Sequence, residues 1–149
     1  MKPTARFAHV NLVARDWRRL AGFYERVFGC VPVPPERQLS GTWLQEATGL
    51  PGAEIRGLHL RLPGCDGPTL EIFQYSPAGD ASGKALNRPG FAHIAFAVED
   101  VARSRDAVLA AGGRQLGTVS SRAIPGAGTV TFVYMTDPEG NALELQRWA

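Results

Sequence analysis

An internal duplication constrains this chain more than any other feature of its sequence. The segment Arg6–Asp16 reappears without a gap at Gly90–Asp100, and each copy contains an Ala-His-apolar tripeptide and ends on an aspartate. Both the histidines and the aspartates are separated by 84 positions. Each copy is typical of a short strand followed by the N-cap of a helix. The sequence therefore predicts two strand–helix units, each with one histidine at an equivalent position.

The first copy also predicts which way its side chains face. Ala8, Val10 and Leu12 alternate with His9 and Asn11. Side chains alternate along an extended chain, so the apolar set faces a helix and the polar set faces away from it. The histidine of each copy is therefore expected on the face that the helices do not cover.

A helix is predicted after each copy. Apolar residues repeat at helical spacing over 16–28, and Gly29 is placed to end that helix in a left-handed cap. The second helix is predicted over 101–111, followed by a Gly-Gly pair. The remaining strands are predicted over residues 31–35, 53–62, 69–75, 114–119, 129–136 and 142–147. Residues 40–52 are interpreted as an ordered excursion that lines or covers a pocket.

Two glutamates occupy matching places on the last strand of each unit. Leu70-Glu71-Ile72 aligns with Leu143-Glu144-Leu145 at an offset of 73. Each glutamate lies between two core-type residues, so its side chain is expected on the opposite face, the same face as the histidines. The predicted fold is α+β, a single domain over 1–149 with two tandem βαβββ modules at about 5–76 and 90–149 joined by a linker at 77–89. Their curved mixed sheets are expected to form a metal-binding cup.

His9, Glu71, His93 and Glu144 are the candidate metal ligands. A lone strand histidine is more often structural than a ligand, and a lone inward glutamate can pair with an arginine. The duplicated set favours a cation, because two adjacent carboxylates without one would repel each other. Imidazole with carboxylate suits a divalent transition metal such as Ni, Zn, Co, Mn or Fe, with positions left for substrate.

Composition excludes several other classes of protein. The 149 residues are 44% hydrophobic and 20% charged, and the net charge of +2 comes from interspersed signs. This pattern gives no support for binding to nucleic acid or to a membrane surface. Two cysteines without a CxxC spacing suggest neither a disulfide framework nor a zinc knuckle. No signal peptide or spanning segment is recognisable, so a cytoplasmic protein is expected.

The sequence resembles the vicinal oxygen chelate superfamily, which includes glyoxalase I, methylmalonyl-CoA epimerase, extradiol dioxygenases, and fosfomycin and bleomycin resistance proteins. The resemblance covers nearly the whole chain. It depends on Ala8-His9-Val10, the helix from Asp16 to Gly29, Leu70-Glu71-Ile72, Ala92-His93-Ile94, and Asp137-Pro138-Glu139-Gly140-Asn141 leading to Leu143-Glu144-Leu145.

The resemblance implies a metal-dependent lyase or isomerase that enolises a small substrate with vicinal oxygens. His9, Glu71, His93 and Glu144 match the ligand positions of glyoxalase I, and Glu71 and Glu144 are the candidate catalytic bases. A homodimer is implied, and whether the cup forms within one chain or across a dimer is left open. No arginine set suited to glutathione is recognisable, so that thiol cofactor is also left open.

Two alternatives remain open from the sequence. The first is an Fe(II) extradiol ring-cleavage dioxygenase, which would need only His9, His93 and Glu144, so that Glu71→Gln stays active. The second is a small-molecule-binding protein with a vestigial metal site, whose ligand affinity would survive His93→Ala. The enolising enzyme differs from the first because Glu71→Gln should cripple it.

Overall fold

The computed structural model describes residues 5–80, 83–87 and 89–149, and the chain forms two compact units over residues 1–80 and 81–149. Each unit contains one mixed sheet, of four and five strands respectively. The predicted α+β class with two mixed sheets is therefore confirmed. Among the described residues, no helix is long and apolar enough to cross a membrane.

The N-terminal unit alternates strands with two helices. Its elements are β1 (His9–Val13), α1 (Trp17–Phe28), β2 (Val31–Leu39), α2 (Thr42–Thr48), β3 (Glu54–Arg61) and β4 (Thr69–Ser76). The sheet order is β1-β4-β3-β2. Strand β1 runs parallel to β4, and the other neighbours are antiparallel. This order places β4 in the middle of the sheet, with β1 on one side and β3 on the other.

Helix α1 is specified by its two ends and by one apolar face. The Asp16 carboxylate accepts a hydrogen bond from the backbone N–H of Arg19 at 3.0 Å, which satisfies one of the free donors of the first turn. Gly29 ends the helix at φ 68°, a left-handed conformation that glycine adopts without strain. Between these ends, Leu20 and Phe23 are fully buried. The helix therefore packs its apolar face on one side of the sheet.

The C-terminal unit repeats this plan with different details. Its elements are β5 (His93–Ala97), α3 (Val101–Ala110), β6 (Arg114–Gln115), β7 (Ser120–Ile124), β8 (Gly128–Thr136) and β9 (Ala142–Trp148). The sheet order is β5-β9-β8-β6, and β7 also pairs with β8. Asp100 caps α3 by accepting from the N–H of Arg103 at 2.9 Å. The duplication of the sequence is therefore also a duplication of strand order and helix cap.

Three strands differ from the sequence prediction. Strand β2 does not stop at the prolines but continues to Leu39, with a register irregularity between Val33 and Arg37. Because β2 is an edge strand, missing proline N–H groups can face away from its partner. In the C-terminal unit, the predicted strand over 114–119 is reduced to β6, and β7 forms where a loop was expected.

A buried aspartate organises the turn that leads into β9. Asp137 is 1% exposed, and its Oδ1 accepts hydrogen bonds from the backbone N–H groups of Glu139 and Asn141, both at 2.9 Å. Its Oδ2 accepts from the Asn141 side chain at 2.8 Å. Gly140 supplies the positive φ of 83° that the turn requires. This turn fixes the start of β9 and therefore the position of Glu144 on that strand.

Candidate metal centre

Strand register brings the polar side chains of the N-terminal unit to one face of its sheet. Asn11 lies opposite Glu71 on one side of β4, and His59 lies opposite Glu71 on the other. His9, two residues before Asn11, faces the same way. Leu70 and Ile72 alternate with Glu71 and are fully buried. The expected separation of an apolar row from a polar row is therefore present.

Glu71 is the centre of a hydrogen-bonded cluster. Its Oε1 accepts from Asn11 Nδ2 at 2.9 Å and lies 3.6 Å from His9 Nε2. Its Oε2 lies 2.7 Å from His59 Nε2. The glutamate side chain is only 12% exposed. A carboxylate removed from water in this way needs such partners, and Glu71 has one at each oxygen.

His59 was not among the residues that the sequence predicted for this site. Its protonation state follows from its surroundings. Burial lowers the pKa of His59, and Arg37 and His9 act in the same direction, against the Glu71 carboxylate, which raises it. The imidazole is therefore neutral near pH 7. Because a carboxylate only accepts, Nε2 carries the proton and donates to Glu71. Nδ1 then accepts from the Thr69 hydroxyl, 2.8 Å away.

The C-terminal unit contains the second predicted pair. His93 Nε2 lies 3.2 Å from Glu144 Oε2. Tyr134 lies opposite Glu144 in the register of β8 and β9, and its ring contacts His93 edge-on with centroids 5.3 Å apart. On the other side of Glu144, the register position that corresponds to Asn11 is occupied by Ala95. Glu144 therefore has an aromatic and an alanine neighbour where Glu71 has two hydrogen-bond donors.

Within each pair, the donor atoms are separated as two ligands of one cation would be. Bonds of about 2.0–2.2 Å place neighbouring ligands of an octahedral or tetrahedral ion roughly 2.8–3.6 Å apart. The observed separations are 3.6 Å for His9 with Glu71 and 3.2 Å for His93 with Glu144. The imidazole–carboxylate donor set also suits a divalent transition metal. Both pairs therefore fit such an ion, each supplying two donors.

Three ligands are not gathered around one point within the described residues. No group of three or more His, Cys, Asp or Glu side chains in that part of the chain has an arrangement that would hold a metal ion. His59 lies near His9 and Glu71, with the two imidazole centroids 5.7 Å apart. Its 2.7 Å separation from Glu71, however, is a hydrogen-bond distance and is shorter than the separation of neighbouring ligands. His59 is therefore assigned as a partner of the carboxylate.

Helix α2 covers the apolar end of the same face. Its Leu44 packs with Ala53, Ile55 and Phe73, and Leu39 and Tyr75 complete this cluster. Phe73 follows Glu71 by two residues and so shares its face, and the Phe73 ring lies edge-on to His59 with centroids 6.4 Å apart. The excursion at 40–52 is therefore ordered, and it places an apolar wall beside the polar cluster.

A separate cavity of the N-terminal unit lacks the chemistry of the candidate site. It measures about 330 Å³ and lies between α1 and β2, lined by residues that include Trp17, Pro32 and Leu58. Arg18 and Glu36, at its edge, form two hydrogen bonds with each other of 2.9 and 2.8 Å. These two charges satisfy each other, so the cavity is not assigned as the functional site.

Two mixed sheets, each with a capped helix on one face and a His–Glu pair on the other, define a duplicated α+β fold. The chain belongs to the Glyoxalase/Bleomycin resistance protein/Dioxygenase superfamily, whose sequence profile matches residues 6–145. This confirms the resemblance noted from the sequence. A search of curated proteins finds no significant match.

Solved structures of this superfamily share the fold. A glyoxalase family protein from Bacillus cereus is 18% identical with a TM-score of 0.82, over 99% of this chain and 96% of that one. One from Enterococcus faecalis is 23% identical with a TM-score of 0.62, over 95% and 96%. A fosfomycin resistance protein from Listeria monocytogenes is 16% identical with a TM-score of 0.62, over 99% and 94%. At these identities the likeness establishes the architecture alone.

Proposed function

We propose that this protein is a divalent-metal-dependent lyase or isomerase that enolises a small substrate with vicinal oxygens. The metal ligands in this proposal are His9 with Glu71 and His93 with Glu144. The observation that carries it is the repeated pair, in which an imidazole and a carboxylate from neighbouring parallel strands are separated by 3.6 Å and 3.2 Å. The two glutamate side chains are only 12% and 14% exposed, and holding two carboxylates away from water is costly unless a cation or hydrogen-bond donors compensate them.

The chemistry of this site would be proton transfer next to a carbonyl. A bound divalent cation would supply a Lewis acid that polarises the substrate carbonyl and stabilises the enediolate charge. A carboxylate of the chain takes the proton from the adjacent carbon. Return of that proton to the neighbouring carbon completes an isomerisation, and return to the same carbon with opposite facial selectivity completes an epimerisation.

The surroundings of the two carboxylates favour Glu144 as the proton acceptor. Glu71 is held by the N–H donors of Asn11 and His59, at 2.9 and 2.7 Å. Among the contacts of the described residues, Glu144 has one polar partner, His93, at 3.2 Å. A group that accepts a proton and returns it must change its orientation or its partner, and Glu144 has fewer bonds to break. Glu71 is correspondingly the more rigid of the two ligands.

Metal analysis combined with proton exchange tests this proposal. Protein purified without chelator should contain about one divalent metal ion per chain. In deuterated buffer it should exchange the proton next to a carbonyl in 2-oxo, 2-hydroxy or CoA thioester substrates, followed by NMR. Metal-loaded protein that exchanges no such proton on any of these substrates would refute the enolising mechanism.

Two glutamate variants make the test specific to the site. Glu144→Gln should lower the exchange rate about 10²–10⁴-fold, the usual contribution of a positioned acid or base. Glu99→Gln is the matched control, because Glu99 is exposed between β5 and α3 and should exchange at the rate of the natural protein. Equal rates for Glu144→Gln and the control would exclude Glu144 as the proton acceptor.

An Fe(II) ring-cleavage dioxygenase is the second candidate function, and one observation favours it. Both oxygens of Glu71 are already hydrogen-bonded by protein groups. Iron held only by His9, His93 and Glu144 would leave those bonds intact and would match a two-histidine, one-carboxylate set. Iron in the purified protein, cleavage of a catechol under air and an active Glu71→Gln variant would together establish this function in place of the first.

A further inference from the structure

His59 stands outside the duplicated pattern, yet it touches one of the two proposed glutamate ligands. It lies on β3 directly opposite Glu71, and the corresponding position opposite Glu144 on β8 is Tyr134. The chain has three histidines, and His9 and His93 are the duplicated two. His59 is therefore an addition specific to the N-terminal unit.

The orientation of the His59 ring is determined on every side. Its Nε2 meets Glu71 Oε2 at 2.7 Å, and its Nδ1 meets the Thr69 hydroxyl at 2.8 Å. Its ring lies edge-on to His9 and to Phe73, with centroids 5.7 and 6.4 Å away. The side chain is 17% exposed. A ring fixed by two hydrogen bonds and two aromatic contacts has little freedom to turn.

This ring also restricts the Glu71 carboxylate. With Oε2 engaged by His59, the other oxygen, Oε1, is the one that faces His9 Nε2. Rotation of the carboxylate would break the hydrogen bonds from both His59 and Asn11. Hydrogen bonds to a ligand carboxylate of this kind orient it before a metal binds, which raises the affinity of the site.

From these contacts we infer that His59 is a positioning residue: it donates Nε2–H to Glu71 Oε2, is itself held by Thr69, and presents Glu71 Oε1 beside His9 for a divalent cation. The inference rests on the proposed metal site and deepens it. His59 is not a ligand, and it acts through Glu71. Tyr134 makes no equivalent hydrogen bond to Glu144 within the described part of the chain. A hydrogen-bond donor opposite the glutamate on the antiparallel neighbouring strand is therefore a feature of the N-terminal unit.

The hydrogen bond itself can be tested without metal. Long-range ¹H–¹⁵N correlation spectra of the chelator-treated protein should show the His59 imidazole as the Nε2–H tautomer. The Glu71→Gln variant should shift the His59 Nε2 resonance, because the charged acceptor has gone. A His59 ring protonated only at Nδ1 would overturn the inference whatever the metal content.

Cobalt titration tests the consequence for the metal. His59→Leu should weaken Co²⁺ binding, measured by visible absorption, about 10–100-fold, the usual effect of losing a partner of a metal ligand. His59→Gln, which retains an N–H donor at a comparable reach, should recover most of that affinity. Tyr134→Phe, the matched change opposite Glu144, should bind Co²⁺ like the natural protein. Circular dichroism and thermal melts check that each variant folds.

The outcomes separate this inference from the proposed function. Natural protein that binds Co²⁺ together with an equally tight His59→Leu variant would overturn the role of His59 and leave the proposed function standing. An equal loss of Co²⁺ affinity in His59→Leu and His59→Gln would also overturn the positioning role, because it would indicate that the imidazole itself is a metal ligand. Natural protein that binds no divalent metal would refute the proposed function, while the tautomer would still report the bond to Glu71.

Discussion

Gly57 permits the close approach of β3 and β4 beside the candidate site, so its replacement by alanine should be costly. Gly57 lies opposite Phe73 in the strand pairing. A Cβ added there would lie 2.0 Å from the Ile72 carbonyl oxygen and 2.7 Å from Cδ1 of the Phe73 ring. Both distances are far inside van der Waals contact, and the first involves backbone that no rotamer change can move.

The cost can be estimated from what must move. Relieving a 2.0 Å contact requires the two strands to separate locally by more than an ångström, which weakens one or two ladder hydrogen bonds worth about 1 kcal/mol each. Overpacking of the Phe73 ring adds roughly 1–3 kcal/mol. Gly57→Ala should therefore lower the free energy of unfolding by about 2–5 kcal/mol. It should also weaken Co²⁺ binding, because Phe73 packs against His59.

Gly67→Ala is the matched control for this experiment. Gly67 lies between β3 and β4, and an added Cβ would meet no atom within 4 Å. That variant should change the free energy of unfolding by less than about 0.5 kcal/mol. Urea denaturation followed by circular dichroism measures both variants against the natural protein. If Gly57→Ala proves as stable as Gly67→Ala, β3 and β4 do not approach each other at Gly57 as closely as described.

Two further predictions concern buried groups. Burial, with a smaller contribution from Glu25, raises the pKa of the Cys30 thiol from 9.0 to about 11. Between these two pH values the folded protein keeps a thiol proton that the unfolded chain has released. The contribution of the protonated thiol to the free energy of unfolding is therefore complete below pH 9 and is lost as the pH rises from 9 to 11. The stability difference between natural protein and Cys30→Ala, from urea melts in reductant, should shrink by about 1–2 kcal/mol over that range, and a constant difference would contradict the assignment. Asp137→Ala removes the acceptor of two backbone N–H groups and should lower the free energy of unfolding by roughly 2–4 kcal/mol. The control is Asp106→Ala, because the Asp106 carboxylate is 65% exposed, and it should cost under about 0.5 kcal/mol. Equal melting temperatures for the two variants would contradict the role of Asp137.

Local patterns were sufficient to predict the features that the duplication repeats. The spacing from histidine to aspartate predicted both strands and both helix caps, and Asp16 and Asp100 each accept from the N–H three residues later. The apolar neighbours of Glu71 predicted its face, because alternation along a strand depends only on adjacent residues. Such features require no knowledge of what lies across the sheet. The meeting of His9 with Glu71 was also expected, although its distance was not.

His59 was missed for a different reason, although a signal for it existed. It lies between the buried residues Leu58 and Leu60, just as Glu71 lies between Leu70 and Ile72. The same flanking pattern therefore placed it on the polar face. Its partner across the strands depends on the register of β3 against β4, and the seven residues between these strands do not fix a register. A slip of one residue would reverse the faces, so the contact with Glu71 could not be predicted.

The second half of β2 and the whole of β7 could not be predicted, because their partner strands stabilise them more than their own residues do. Prolines in β2 argued for an early end, but pairing with β3 resumes at Arg37 after the irregularity. Strand β7, Ser120–Ile124, is exposed along its whole length and shows no apolar alternation. Its formation depends on the free edge of β8, which is a tertiary property.

The duplication places two carboxylates in equivalent strand positions, and their neighbours then make them chemically different. Asn11 and His59 flank Glu71, whereas Ala95 and Tyr134 occupy the corresponding positions around Glu144. Donors fix a carboxylate in its charged, oriented form, and their absence leaves it freer to exchange partners. A metal-dependent proton transfer needs one group of each kind. If the proposed function is correct, Glu71→Gln should therefore mainly weaken metal binding. Glu144→Gln should mainly lower the proton-exchange rate at saturating metal. The reverse pattern would show that these hydrogen bonds do not determine which glutamate is the rigid ligand and which is the proton acceptor.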